Sequence, residues 1–227
     1  MSYLVMQEME DKSKYKAQII AWLNSVVNSK NQNITSMATA TLCQNYMANE
    51  EYEKAQHLLD EIPARGFDKR LTQASLYTSQ NQYDKAYEVH EQMLFEYANG
   101  IMGSLVQRCE LLCKEKKYEE AYACAAIAKE VAKTCQIGSY SAATAELLIA
   151  LEQKDKEASL QKLSEMVESL DSFEQPKSSM LYSHMKFKKD NDTNDIKKML
   201  YQSFVKDAEL DFLREDRRFE KLLERLK

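Results

Sequence analysis

Glycine and proline are scarce in this sequence, which has 4 Gly and 2 Pro among 227 residues. These two residues break helices and form turns, and a sheet-rich protein needs many such turns. The rest of the composition is rich in Ala, Leu, Lys and Glu, which are good helix formers. The sequence therefore predicts an all-α protein.

A surplus of positive charge is also absent, since the formal net charge is −5 and the pI is about 5.4. The chain thus lacks the basic surface with which proteins neutralise nucleic-acid phosphates. No apolar run reaches the length of a membrane span, and the N-terminus has no secretion signal. These absences predict a soluble, cytoplasmic protein that contacts neither membranes nor DNA directly.

Motifs for catalysis and cofactor binding are missing too. The sequence has no nucleophile elbow, no Gly-rich phosphate loop, no HExxH and no DxDxDG. We therefore expect no enzyme activity and no cofactor. Cys109, Cys113 and Cys124 could converge on zinc, but Cys109 stands at a small packing position of a repeat and closely spaced Cys-x2-Cys pairs are absent. We expect buried thiols and no metal.

One pattern recurs along the chain: a tyrosine or leucine, a tyrosine six residues later, and an alanine three residues after that. The copies are Tyr46/Tyr52/Ala55, Tyr77/Tyr83/Ala86 and Leu112/Tyr118/Ala121, set 31 and then 35 residues apart. Periods of this length are typical of helical repeats. A degraded fourth copy covers residues 142–170, with Ala158 at the alanine position and Asp155 at the second tyrosine position.

Polar breaks divide the first three copies at residues 48–51, 79–82 and 114–117. Apolar residues have helical spacing on both sides of each break, which predicts an antiparallel helix pair. A small residue stands twelve positions before each alanine. These residues are Cys43, Ala74 and Cys109. We expect each pair to cross there, because short side chains let helices approach closely, and we expect the tyrosine after each break to fill the gap beside the turn.

The segments that flank the repeats are predicted to be helical as well. Residues 14–29 carry one apolar stripe, and this helix should pack on the first repeat. Residues 178–186 and 195–206 are predicted to form another pair, and apolar spacing within 219–226 predicts a short final helix.

These elements predict three parts. Residues 1–33 form an N-terminal capping helix, residues 34–171 form tetratricopeptide-like repeats, and residues 172–227 form a C-terminal helical cap or dimerisation segment. The expected fold is a right-handed superhelix of antiparallel helix pairs, a solenoid with capping helices at its ends.

The repeats resemble the tetratricopeptide repeat in their small crossing residues and paired tyrosines. Residues 48–59, 80–89 and 207–226 also resemble the C-terminal, tetratricopeptide-type half of Xre-type helix-turn-helix regulators of Gram-positive bacteria. The resemblance implies a module that dimerises and senses a peptide or another ligand. Residues 1–33 are too few for a helix-turn-helix, so DNA binding is expected only through such a domain outside this sequence.

Two groups of residues are candidates for binding. By analogy with tetratricopeptide arrays, the concave groove would take a peptide or protein ligand through Gln44, Met47, Ser75, Thr78, Glu110 and Lys114. The second group either caps the solenoid or forms a homodimer contact, and it comprises Phe204, Phe212, Leu213 and Phe219.

Two functions remain open at this point. The chain is either the sensing and effector part of a transcriptional regulator, or a freestanding scaffold with no role in transcription. The coding sequence upstream of Met1 distinguishes them, because only the first requires a helix-turn-helix.

Overall fold

A computed structural model of the protein describes residues 12–27, 29–63, 66–187 and 193–227. This part of the chain is built from helices and contains no β-strand, which confirms the predicted all-α class. Two compact units divide at His90 and Glu91. Residues 1–11 of the predicted N-terminal cap lie outside the description.

The first unit ends within a helix that continues into the second. Its helices are α1 (Lys12–Val26), α2 (Gln32–Ala48), α3 (Tyr52–Glu61), α4 (Arg70–Ser79) and the start of α5 (Tyr83–Lys114). As predicted, α1 packs against α2. The core of this unit lies between α2, α3 and α4 and contains Ala40, Cys43, Ala55, Leu59, Ile62 and Leu76.

The second unit continues with further helices and 3-10 turns. They are α6 (Tyr118–Thr134), α7 (Tyr140–Glu152), α8 (Lys156–Glu168), a 3-10 turn (Leu170–Glu174), α9 (Gln175–Ser178), a 3-10 turn (Met180–Tyr182), α10 (Thr193–Lys206), a 3-10 turn (Ala208–Leu213) and α11 (Arg217–Leu226). The predicted helix over 178–186 is wrong, since this stretch holds only one short turn. The expected final helix is confirmed as α11.

The predicted helix breaks are confirmed, and the chain reverses through the same turn each time. One residue with positive φ ends the first helix, and the N–H of the next residue donates to a carbonyl five positions back. The positive-φ residues of these turns are Glu50, Asn81, Lys116 and Lys154, with φ of 62°, 58°, 61° and 51°. This hydrogen-bond pattern is a Schellman motif, which satisfies the last carbonyls of a helix.

The fourth turn shows that the predicted register of the last copy is wrong by one residue. Lys154 takes the place of Lys116, so Lys156 stands where the tyrosine stands in other copies, and Ser159 stands at the alanine position. Ser159 is fully buried, whereas Ala158 is half-buried. Asp155 instead caps α8, because its carboxylate accepts the N–H of Ala158 at 3.0 Å.

Helix α5 is continuous over 32 residues, although the repeat pattern implies a turn between the second and third copies. Gly100 and Gly103 are the only helix-weakening residues there, and no proline interrupts the hydrogen-bond ladder. Buried Ala98 and Met102 hold this stretch of the helix against the core of the second unit.

The tyrosines after the breaks differ in burial. Tyr52 and Tyr118 pack against the core clusters of their own helix pairs, as predicted. Tyr83 is exposed over about half of its surface, and its hydroxyl donates to the Asn81 side chain at 2.8 Å. The prediction is therefore wrong for Tyr83, because its ring stays exposed and fills no gap, while its hydroxyl bonds to a residue of the turn.

Candidate functional site

Two helix crossings place small residues in direct contact, as predicted. The Cys43 thiol of α2 donates to the Ala55 carbonyl of α3 at 3.4 Å, and the Cys109 thiol of α5 donates to the Ala121 carbonyl of α6 at 3.5 Å. All four residues are fully buried. These contacts fix the rotation of α2 and of the end of α5, and thereby decide which side chains face outward.

Four of the predicted groove residues lie in the first unit. Gln44 is exposed and Met47 is half-buried on α2, while Ser75 and Thr78 are exposed on α4. The two hydroxyls donate to carbonyls of their own helix, at Leu71 (2.9 Å) and Ala74 (3.0 Å). Each hydroxyl oxygen keeps acceptor capacity for a ligand, since a hydroxyl has one proton and two lone pairs.

The same helices expose three large apolar side chains that the sequence analysis missed. Ile34, Met37 and Leu71 are 47%, 59% and 57% exposed. Because α2 packs against α4, we define the α2/α4 face by the outward residues Ile34, Met37, Gln44, Leu71, Ser75 and Thr78. Spacings of three and seven residues on α2, and of three, four and seven residues on α4, give the signal that could have found them.

The other two predicted groove residues lie in the second unit and contact each other. Lys114 and Glu110 form an ion pair one turn apart near the end of α5. The hydrogen bond to Glu110 raises the pKa of Lys114. A lysine in the last turn also interacts favourably with the helix dipole, so the pair has a local stabilising role.

The four C-terminal candidates belong to the core of the second unit. Phe204, Leu213 and Phe219 are buried and Phe212 is half-buried, in a cluster that also contains residues of α8 such as Leu163 and Met166. Outside this cluster, Arg218 of α11 binds both carboxylate oxygens of Glu157 of α8 at 2.7 Å. These side chains join the end of the chain to α8.

Cys109, Cys113 and Cys124 of the second unit are packing residues in one apolar cluster. Burial raises the pKa of Cys109 to about 12, and the neighbouring thiol of Cys124 adds to the shift. Burial also raises the pKa of Cys113. Thiols that hold their protons are poor metal ligands, because metals bind the thiolate. Within the described ranges, no three His, Cys, Asp or Glu residues are placed to hold a metal ion.

No family model, no curated protein and no solved structure matches the chain. A search of the described helices for membrane spans finds none that is both long enough and apolar enough.

Proposed function

We propose that the protein is a non-catalytic helical-repeat module that binds an extended peptide or a partner's helix on the α2/α4 face. The observation that carries the proposal is the exposure of Ile34, Met37 and Leu71 beside Gln44 and Ser75 on two packed helices. Apolar side chains supply contact area for a ligand, and neighbouring amide and hydroxyl groups supply hydrogen bonds that select it.

The proposal takes the helix pairs as tetratricopeptide-like repeats that stack into a superhelix, with the second and third copies joined by the continuous helix α5 instead of a turn. The recurring Schellman turns and the two thiol–carbonyl crossings support repeats of one design. The resemblance to Xre-type regulators supports a homodimer that acts as the sensing and effector part of a bacterial transcriptional regulator. DNA would then be bound by a helix-turn-helix outside this sequence. The alternative is a scaffold without a role in transcription.

A library of random phage-displayed peptides tests the binding proposal. After selection on the full chain, we expect peptides whose saturable binding weakens at least about tenfold in the double variant Met37→Glu, Leu71→Glu, because two buried charges in a contact surface cost several kcal/mol. Glu53→Lys, an exposed change on α3, is the matched control and should bind normally. Selected peptides that bind the double variant equally well would refute the α2/α4 face.

Sequencing of the gene upstream of Met1 separates the two roles. A helix-turn-helix in frame supports the regulator. Sedimentation equilibrium of the 26.3 kDa chain tests the homodimer, which is expected to show twice that mass.

A further inference from the structure

Residues 179–187 of the second unit, here called the strap, pass over α5 and α6 without forming a helix beyond the turn Met180–Tyr182. Their apolar side chains pack on a cluster contributed by both helices. It contains Ala98 and Met102 of α5 and Ala128 and Ala132 of α6. The strap thus lies on two packed helices as a bound peptide would.

A buried carboxylate on α5 holds the main chain of the strap. One oxygen of Glu91 accepts the N–H groups of His184 at 2.7 Å and Met185 at 2.9 Å, and the other lies 2.7 Å from Nδ1 of His184. Glu91 is only 7% exposed. Two consecutive backbone N–H groups on one carboxylate are recognised whatever side chains they carry, and hydrogen bonds to a charged group are strong.

Two aromatic side chains of the strap fit against one ring of α5. Tyr182 and Phe187 each meet Phe95 edge to face, with ring centroids 5.4 and 5.9 Å apart. The buried Tyr182 hydroxyl donates to the Cys135 carbonyl just after the end of α6. These contacts recognise side chains, whereas one oxygen of Glu91 recognises the backbone and the other contacts the His184 ring, so the site combines the two elements of peptide recognition.

The strap is separable from the rest of the C-terminal region. Its contacts belong to the α5/α6 cluster, while α10, α11 and the 3-10 turn between them pack with α8 in a different cluster. Phe204, Leu213 and Phe219 would therefore stay buried if the strap left its place. The strap itself leaves Met180 mostly exposed, so it covers its site with only part of its side chains.

We infer that the surface formed by Glu91, Phe95 and the α5/α6 cluster is a second peptide-binding site, and that the strap is its internal ligand. A partner segment that adopts the same turns, with a tyrosine followed five residues later by another aromatic, displaces the strap. An internal ligand competes at the high effective concentration of a tethered group, so free peptide binds the native chain weakly. This site differs from the α2/α4 face, so either proposal can fail alone.

The test uses the full chain and a fluorescein-labelled peptide with the sequence of residues 178–187. In the variant Tyr182→Ser, Phe187→Ser the strap loses its anchors, and we expect saturable peptide binding by fluorescence anisotropy. The native chain should bind at least about tenfold more weakly. A peptide with both aromatics replaced by serine should not bind.

Glu91→Ala, added to the strap variant, should weaken peptide binding at least about tenfold, since two backbone N–H groups of the peptide lose their acceptor. Gln107→Ala, an exposed change elsewhere on α5, is the matched control and should have no effect. A strap variant that keeps native helicity by circular dichroism and binds no peptide would overturn the inference. So would binding that is indifferent to Glu91.

Hydrogen exchange on the native chain provides a test that needs no variant to fold. If the strap is an exchangeable ligand, the amides of His184 and Met185 exchange at least about tenfold faster than those of Ala98 and Ala128 beneath it, through local opening. Equal protection would mean that the strap opens only with global unfolding, and the inference would be wrong.

Discussion

The hydroxyl of Ser159 is a buried polar group without a hydrogen-bond partner at the position where the other copies have alanine. The side chain is fully buried and its oxygen has no hydrogen-bond partner, whereas the other copies have Ala55, Ala86 and Ala121 at this position. Ser159→Ala should therefore raise the free energy of unfolding by about 1 kcal/mol, since it removes an unpaired polar atom and leaves almost no cavity. Urea unfolding followed by circular dichroism measures this change.

The reverse substitution is the matched control. Ala121→Ser puts a hydroxyl at the equivalent position of the α5/α6 crossing, where the backbone carbonyl of the same residue already accepts the Cys109 thiol. It should lower the free energy of unfolding by about 1 kcal/mol. A destabilised Ser159→Ala variant would contradict the register that aligns Ser159 with the three alanines.

At several helix ends a residue other than glycine adopts a left-handed conformation, which strains the backbone and lowers stability. Glu50, Lys116 and Lys154 hold left-handed conformations at Schellman turns, where glycine is the usual residue. Replacing any of them with Gly should raise the free energy of unfolding by about 0.5–1 kcal/mol, because the left-handed strain of an L residue exceeds the entropy cost of glycine. Thermal unfolding of each single variant tests this expectation.

The control for the turn variants is Glu53→Gly, which places glycine in the first turn of α3, where φ is helical. It should lower stability by up to about 1 kcal/mol. Destabilisation by Gly at positions 116 and 154 would show that those side chains contribute more than their backbone strain costs.

The glycines within helices should behave in the opposite way. An added Cβ at Gly100 or Gly103 of α5 meets no atom within 4 Å, so Ala at either position should stabilise the protein by about 1 kcal/mol. At Gly138, φ is 89° and a Cβ would lie 2.6 Å from the Ser172 carbonyl oxygen. Gly138→Ala should destabilise by several kcal/mol. Melting temperatures that rank these variants otherwise would contradict the backbone geometry.

The sequence predicted those elements whose signals are local. Twelve residues separate Cys43 from Ala55 and Cys109 from Ala121, and this spacing correctly predicted two crossings. The register of the fourth copy was wrong because Ala158 and Ser159 are adjacent small residues and no tyrosine marks the turn. The continuity of α5 was missed because repeats alone do not reveal whether a turn separates them.

Non-local contacts explain most of what the sequence did not predict. Residues 178–186 have a helix-like composition, but Glu91, more than ninety positions away, satisfies the backbone of the strap instead. At the α2/α4 face, polar groove positions followed from the resemblance to tetratricopeptide arrays. The exposure of Met37 and Leu71 did not, since apolar residues in a helix are normally expected to be buried.

For the whole molecule, buried acidic groups set an upper limit on the pH of stable folding. Burial raises the pKa of Cys43 to about 11 and that of Cys109 to about 12, from the ordinary thiol value of 9.0. Above about pH 9 the unfolded chain loses these protons while the folded chain keeps them. The free energy of unfolding should thus fall with rising pH by up to about 1.4 kcal/mol per pH unit for each thiol.

Urea unfolding between about pH 8 and about pH 10.5 measures this slope. Burial also raises the pKa of Tyr140 and of Tyr182 to about 12 from 10.0, so these phenols steepen the slope only above about pH 10. The double variant Cys43→Ala, Cys109→Ala places alanine where the second copy already has Ala74. In this variant the free energy of unfolding should fall less steeply with pH between about pH 9 and about pH 10. A slope that the double variant leaves unchanged would assign the loss to other groups.

Helix α5, about 48 Å long, is not held equally along its length. Near the C-terminal end of α5, the Cys109 thiol donates to a carbonyl of α6, and the buried side chains around it pack against α6 as well. Gly100 and Gly103 lie on the exposed side of α5, where an added Cβ would meet no atom within 4 Å. Glycine is a weak helix former, so the packing of Ala98 and Met102, and not the intrinsic preference of its residues, keeps this section of α5 helical.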